Sequence, residues 1–174
     1  MDANFYSIVR LLLSLGISTA AIASDEVVVL QLGTPAESEK LDIFTVDVKY
    51  HHMFWHWGDS GCQLGLGGRG GLLDVGHEEG ARLGAGARAE CLWGNWVVWM
   101  PFEVLWLSKY EFGHRGNGFK DYGGPVQLST GLGVGYVFHQ NWMIGYQYEH
   151  MSNGKMYDSN PSLDSHTLHI EYRF

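Results

Sequence analysis

The sequence predicts an all-β chain, folded as an eight-stranded antiparallel up-and-down transmembrane β-barrel. Three observations carry that prediction. Apolar and polar residues alternate with period two along about eight segments, as in a strand with one face in an apolar phase. Most of those segments approach or exceed the roughly 9–11 residues that a tilted strand needs to cross a bilayer. The 174 residues include 24 Gly, 7 Trp, 9 Tyr and 8 Phe, but only 17% are charged, a composition suited to strands with two demanding faces. Such aromatic content excludes a disordered chain. The glycines lack the three-residue period of collagen. A formal charge of −8 excludes the basic stripe of a nucleic-acid binder, so no nucleic-acid partner is expected.

Taken in order, the chain opens with Arg10 as a thin positive region, an apolar stretch from Leu11 to Ile22, and small residues at Ala21-Ile22-Ala23. This reads as a secretory signal peptide over residues 1–23, too short in its apolar part for a membrane span. Residues 24–174 are then the barrel domain. Strands are expected near 26–33, 41–51, 61–70, 81–93, 95–110, 124–138, 141–152 and 165–174. The first and third show the weakest alternation. In the second, Phe44, Val46, Val48 and Tyr50 alternate with Thr45, Asp47 and Lys49. In the sixth, the even positions from Val126 to Phe138 alternate with Gln127, Ser129 and three glycines. The last strand sets Leu168, Ile170, Tyr172 and Phe174 against Thr167, His169, Glu171 and Arg173.

The polar face carries charge and glycine, so it cannot line an oily sandwich core. Arg82, Arg88, Glu90, Glu103 and Lys109 are read as a paired network inside a narrow, packed barrel. Inner-face glycines make room there. Short turns at 93–95 and 139–141 and long polar loops at 111–124 and 153–164 place both termini in the periplasm and the long loops outside. Gly67-Gly-Arg-Gly-Gly71 lacks the Lys-Ser/Thr of a phosphate loop and is read as flexible strand or loop. His51 and His52 point to opposite faces of a strand, and they and His56 sit among aromatics that fit a girdle, so no metal is expected. Cys62 and Cys91 are the only cysteines, and their pairing is left open.

One constellation breaks the pattern. His150 and Ser152 share the outward face of Tyr148, Tyr146, Ile144 and Trp142, and Asp164 has the outward parity of His166 and Leu168. Polar groups facing lipid are costly, which argues against a purely structural reason for all three. A Ser-His-acid set has a known logic: His takes the serine proton, and the acid fixes and stabilises the imidazole. Asn153 and the backbone N–H of Gly154 are candidate oxyanion donors.

The run His150-Met-Ser152-Asn153-Gly154, with a Pro-containing loop and an acid twelve residues after the serine, resembles the lipid A 3-O-deacylase (PagL) family of outer-membrane enzymes. The specific resemblance covers about the last 25 residues. It implies a barrel in the bacterial outer membrane that hydrolyses the ester-linked acyl chain at the 3-position of lipid A. His150 would be the base, Ser152 the nucleophile and Asn153 an oxyanion contributor. The family's acid is usually Glu, and Asp164 stands at the matching position. The family often has an aromatic residue where Met151 stands, and Met151 points inward by parity. The partners implied are lipid A or lipopolysaccharide as substrate and the surrounding outer-membrane lipid, and no cofactor is required. A homodimer is left open. The alternatives are a non-enzymatic adhesin or structural barrel, and a barrel phospholipase. Lys155, His114, Arg115 and Lys120 lie in outward loops, where they solvate the loop or meet substrate phosphates.

Overall fold

The computed structural model describes residues 25–114, 118–139 and 141–174. The signal peptide expected over residues 1–23, Arg115, and Gln140 of the 139–141 turn lie outside the described residues. Ten strands form: β1 (Glu26–Pro35), β2 (Ile43–His56), β3 (Cys62–Val75), β4 (Glu78–Trp93), β5 (Trp96–Leu107), β6 (Glu111–Gly113), β7 (Phe119–Asp121), β8 (Val126–His139), β9 (Trp142–Ser152) and β10 (Leu163–Arg173). Eight of them close into an antiparallel barrel in the order β1-β10-β9-β8-β5-β4-β3-β2. β1 closes it against β10, from Val27 opposite Arg173 to Pro35 opposite Ser165. Closure leaves no open sheet edge, which is what lipid requires of strands. The short β6–β7 hairpin, which period-two counting does not reveal, stands in the loop between β5 and β8.

One end of the barrel carries the termini and tight turns, including Gly94-Asn95 and a single 3₁₀ turn at Gly58–Ser60. The other end carries the long loops, with one exception. The β3–β4 connection is only Gly76 and His77, both left-handed at φ 60° and 70°. Two such residues match the twist of paired strands in a primed turn. The glycine-rich run at 67–71 is regular strand, and it directs Arg69 into the lumen with 4% exposure.

The two faces part as their chemistry demands. Phe44, Val48, Tyr50, Leu66, Leu83, Phe102, Val104, Leu132, Ile144 and Leu168 stand outward and exposed. At the terminus-bearing end, aromatic pairs such as Trp142–Tyr172 (4.8 Å) and Trp96–Tyr136 (5.2 Å) form an interfacial girdle. Cys62 and Cys91 face each other on β3 and β4 at this end and form a disulfide.

The lumen is layered. A cluster built on Ile43, Leu73, Leu105, Phe112, Tyr122 and Met151 plugs the loop end. Val27, Val29 and Met53, with Val97, Trp99 and Met143, fill the other end. Between them lies a charge layer. Arg69 bonds Glu149 at 3.0 Å and also bonds Glu103, while Lys49 reaches Glu103 at 3.3 Å. Arg82 bonds Asp47 through Nε at 2.7 Å, and Arg88 bridges Glu90 and Glu171, each at 2.7 Å. Arg173 completes the pairing with Glu90. Of the expected network, Lys109 falls outside it. β5 ends at Leu107, so Lys109 sits 40% exposed at the rim and pairs with Glu78. Glycine is required where the lumen is tightest: a Cβ on Gly133 would lie 2.1 Å from the Trp99 ring.

Candidate active site

β9 and β10 pair without interruption from Leu163–Met151 to Tyr172–Trp142, and this register sets Asp164 directly opposite His150. Directly opposed residues in an antiparallel ladder share a face at short separation. His150 Nδ1 lies 2.7 Å from Asp164 Oδ1. Ser152, one further outward position along β9, places its Oγ 3.2 Å from His150 Nε2. With the proton on Nδ1, the imidazole donates to the carboxylate and Nε2 accepts from the serine hydroxyl. The side chains of His150 and Asp164 are 43% and 25% exposed, whereas intervening Met151 is 1% exposed and faces the lumen plug. The three polar groups therefore stand together on the outer wall, as parity requires. The direct opposition also explains how the short Asp side chain reaches the imidazole.

β9 ends at Ser152, and a tight turn takes over. Gly154 and Lys155 are both left-handed, at φ 61° and 66°, and Met156 N donates to Asn153 O at 3.1 Å. This is a primed β-turn whose second position, Lys155, adopts a conformation that non-glycine residues avoid. Asn153 holds it there: its Oδ1 accepts from Lys155 N at 3.0 Å. The Asn153 amide faces inward and is fully buried. Its Nδ2 donates to Tyr122 O at 3.0 Å and to Ser159 O at 2.6 Å, which uses both of its protons. The structure thus directs the Asn153 side chain to the loop and not to the serine. The Gly154 N–H has no acceptor among the described residues. Gly123, at φ 79°, admits this close packing, since a Cβ there would lie 2.6 Å from Asn153 Nδ2.

Beyond Asp164 on the same face, a groove of about 290 Å³ crosses β9, β10, β1 and β2. Leu32, Thr34, Phe44, Tyr146, His166 and Leu168 line it. Tyr146 Oη and His166 Nδ1 hydrogen-bond at 2.6 Å on this outer surface. The sequence pattern places these side chains outward but assigns them no role. The signal available is their period-two spacing from His150 and Asp164. Of the outward basic residues, Lys120 is engaged by Glu39 at 2.6 Å, whereas Lys155 is exposed. Among the described residues, no group of three or more His, Cys, Asp or Glu side chains is arranged to hold a metal ion.

Comparisons with known proteins bear on the family and the fold. A family model described as lipid A 3-O-deacylase (PagL) matches residues 44–173. The crystal structure of the outer membrane enzyme PagL superposes with a TM-score of 0.59 at 15% identity, covering 85% of this chain and 99% of that one. Neisserial surface protein A gives a TM-score of 0.53 at 11% identity, over 86% and 94% of the two chains. A de novo designed transmembrane β-barrel gives 0.52 at 13% identity, over 88% and 98%. At such identities the structural likenesses establish the barrel fold alone. No curated protein matches the sequence.

Proposed function

The chain belongs to the lipid A 3-O-deacylase (PagL) family of the bacterial outer membrane, and from that premise we propose that Ser152, His150 and Asp164 perform the deacylation as a serine esterase triad. The observation that carries this reading is the pair of contacts made by one imidazole, 3.2 Å to Ser152 Oγ and 2.7 Å to Asp164 Oδ1, on the lipid-facing wall.

In this reading His150 Nε2 takes the serine proton as Oγ attacks the carbonyl of the ester at the 3-position of lipid A. The oxyanion that forms meets the unengaged main-chain N–H of Gly154, and Asn153 serves it by pinning the turn that presents this N–H. Asp164 keeps the proton on Nδ1 and stabilises the imidazolium. His150 then protonates the sugar 3-oxygen as the C–O bond breaks, leaving the acyl group on Ser152. Water, deprotonated by His150, attacks the acyl-serine, and the fatty acid leaves as Oγ recovers a proton. The location suits a substrate that never leaves the bilayer. The groove beyond Asp164 offers a seat for an acyl chain, and every group the mechanism uses comes from one copy of the chain.

Lipid A mass spectrometry tests the reading. Expression of the wild-type chain in a strain without this activity should shift lipid A by the mass of the 3-linked acyl chain, and Ser152→Ala should leave lipid A intact. Hydrolysis by Ser152→Ala at the wild-type rate would refute the assignment. Acyl release from phospholipid instead of lipid A would reassign the substrate.

A further inference from the structure

The β9–β10 ladder ends at Leu163 opposite Met151, so Ser152 lies one residue past the last pair and Asp164 one residue inside it. Strand ends fray unless something beyond the ladder holds them. The β6–β7 hairpin holds both of these ends, from two positions two residues apart. Lys120, in β7, donates from Nζ to the Ser162 main-chain oxygen at 3.2 Å, two residues before Asp164. The same Nζ meets Glu39 Oε1 at 2.6 Å. Glu39 belongs to the β1–β2 loop, whose Ala36 N–H donates to the Asp164 main-chain oxygen at 2.7 Å. Tyr122, one residue past β7, offers its main-chain oxygen to Asn153 Nδ2 at 3.0 Å, one residue past Ser152. Tyr122 is fully buried, and the Lys120 ammonium lies 5.5 Å from its ring centroid. The side chains of Lys120 and Glu39 are 15% and 28% exposed, so this pair is more sheltered than the rim pair of Lys109, and a sheltered ion pair holds its geometry better than a solvated one.

Resting on the catalytic reading above, we propose that Lys120 is a positioning residue for the reaction: it clasps the β1–β2 and β9–β10 loops to the β6–β7 hairpin and so fixes the Asp164 end of β10 against the turn that follows Ser152. Its ammonium is engaged by Glu39 and by a main-chain oxygen, so it acts through the backbone that carries the acid. Tyr122, anchored beside it, acts through Asn153 on the serine side of the same loop. One hairpin end therefore sets the spacing between the segment that bears the acid and the segment that bears the nucleophile. A displacement of about 1 Å caused by a change far from the chemistry can cost up to about 100-fold in rate.

Lys120→Met keeps the apolar stem of the side chain and removes the ammonium. With purified protein and lipid A in detergent micelles, kcat should fall about tenfold with KM within about twofold of wild type. Lys120→Arg, which can donate to both oxygens, should keep kcat within about threefold of wild type. Glu39→Ala opens the clasp from an exposed loop, and carries the test if Lys120→Met does not fold. It should lower kcat about threefold, and the double variant should be no slower than about twofold below Lys120→Met, because both changes undo one contact. Labelling of Ser152 by a fluorophosphonate should slow in step with kcat in Lys120→Met, which reads the serine's activation without lipid A. A wild-type kcat in Lys120→Met and Glu39→Ala would overturn the proposal. A raised KM at unchanged kcat would also overturn it, assigning Lys120 to substrate contact, as would losses that multiply in the double variant. Unchanged Lys120→Met beside an inactive Ser152→Ala refutes the clasp alone, whereas an active Ser152→Ala removes the catalytic reading as well.

Discussion

Polar side chains gather in two places in this barrel, and the two gatherings are built on opposite principles. Among the described residues, five cations in the lumen face five anions: Lys49, Arg69, Arg82, Arg88 and Arg173 against Asp47, Glu90, Glu103, Glu149 and Glu171. Each is partnered by a group of opposite sign, and water is excluded by apolar plugs at both ends. On the outer wall, His150, Ser152 and Asp164 form a chain of two hydrogen bonds that ends at a hydroxyl. The lumen network pairs every cation with an anion in a closed space, and the wall cluster is open to the surface at its serine hydroxyl.

Substitutions on the two sides should separate activity from stability. The largest effect is expected on the wall. His150→Ala should lower kcat by roughly 10⁴-fold or more, and Asp164→Ala by roughly 10²- to 10⁴-fold, with thermal melting nearly unchanged. Single-turnover deacylation and melting in detergent check both. In the lumen, Glu149→Ala removes one of the two carboxylates that Arg69 and Lys49 share, leaving Glu103. Breaking a buried pair from one side costs about 3–5 kcal/mol. Denaturant unfolding should show that loss, while turnover per folded molecule stays within about threefold of wild type. An equal loss of turnover would join the two regions into one functional unit. The smallest effect is expected at the disulfide. Joint Cys62→Ser and Cys91→Ser should cost about 2 kcal/mol, the low end for a bridge, because the β3–β4 ladder already holds these residues together. Turnover should not change, and a melt beside the turnover assay reads both.

Much of the architecture is legible in the sequence because lipid and a packed lumen enforce strict alternation. The second, fourth and seventh strands, each with a dense apolar face, can be placed within a few residues of their ends. The third strand is harder to read because glycine at 65, 67, 68, 70 and 71 shows no alternation, although Arg69 between them is the clue to its inward face. The β6–β7 hairpin has three-residue strands, too short for any period to register. Parity brings His150, Ser152 and Asp164 to one wall, and the uninterrupted β9–β10 register brings them into contact. The side chain of Asn153 is not legible in the same way. Its inward parity can be counted, but the Tyr122 and Ser159 carbonyls that claim its amide come from two loops whose approach no local pattern encodes. Lys109 departs from expectation for a related reason: alternation says which way a residue points only while the strand lasts, and β5 stops at Leu107.

The claim that an outward-facing serine is the nucleophile is tested most directly by an acyl-mimicking fluorophosphonate, with peptide mapping of the adduct. The wild-type protein in detergent should acquire one phosphonyl group on Ser152, and His150→Ala should remain unlabelled under the same conditions. An adduct absent from Ser152 in protein that still deacylates lipid A, or labelling that ignores the loss of His150, would contradict the account.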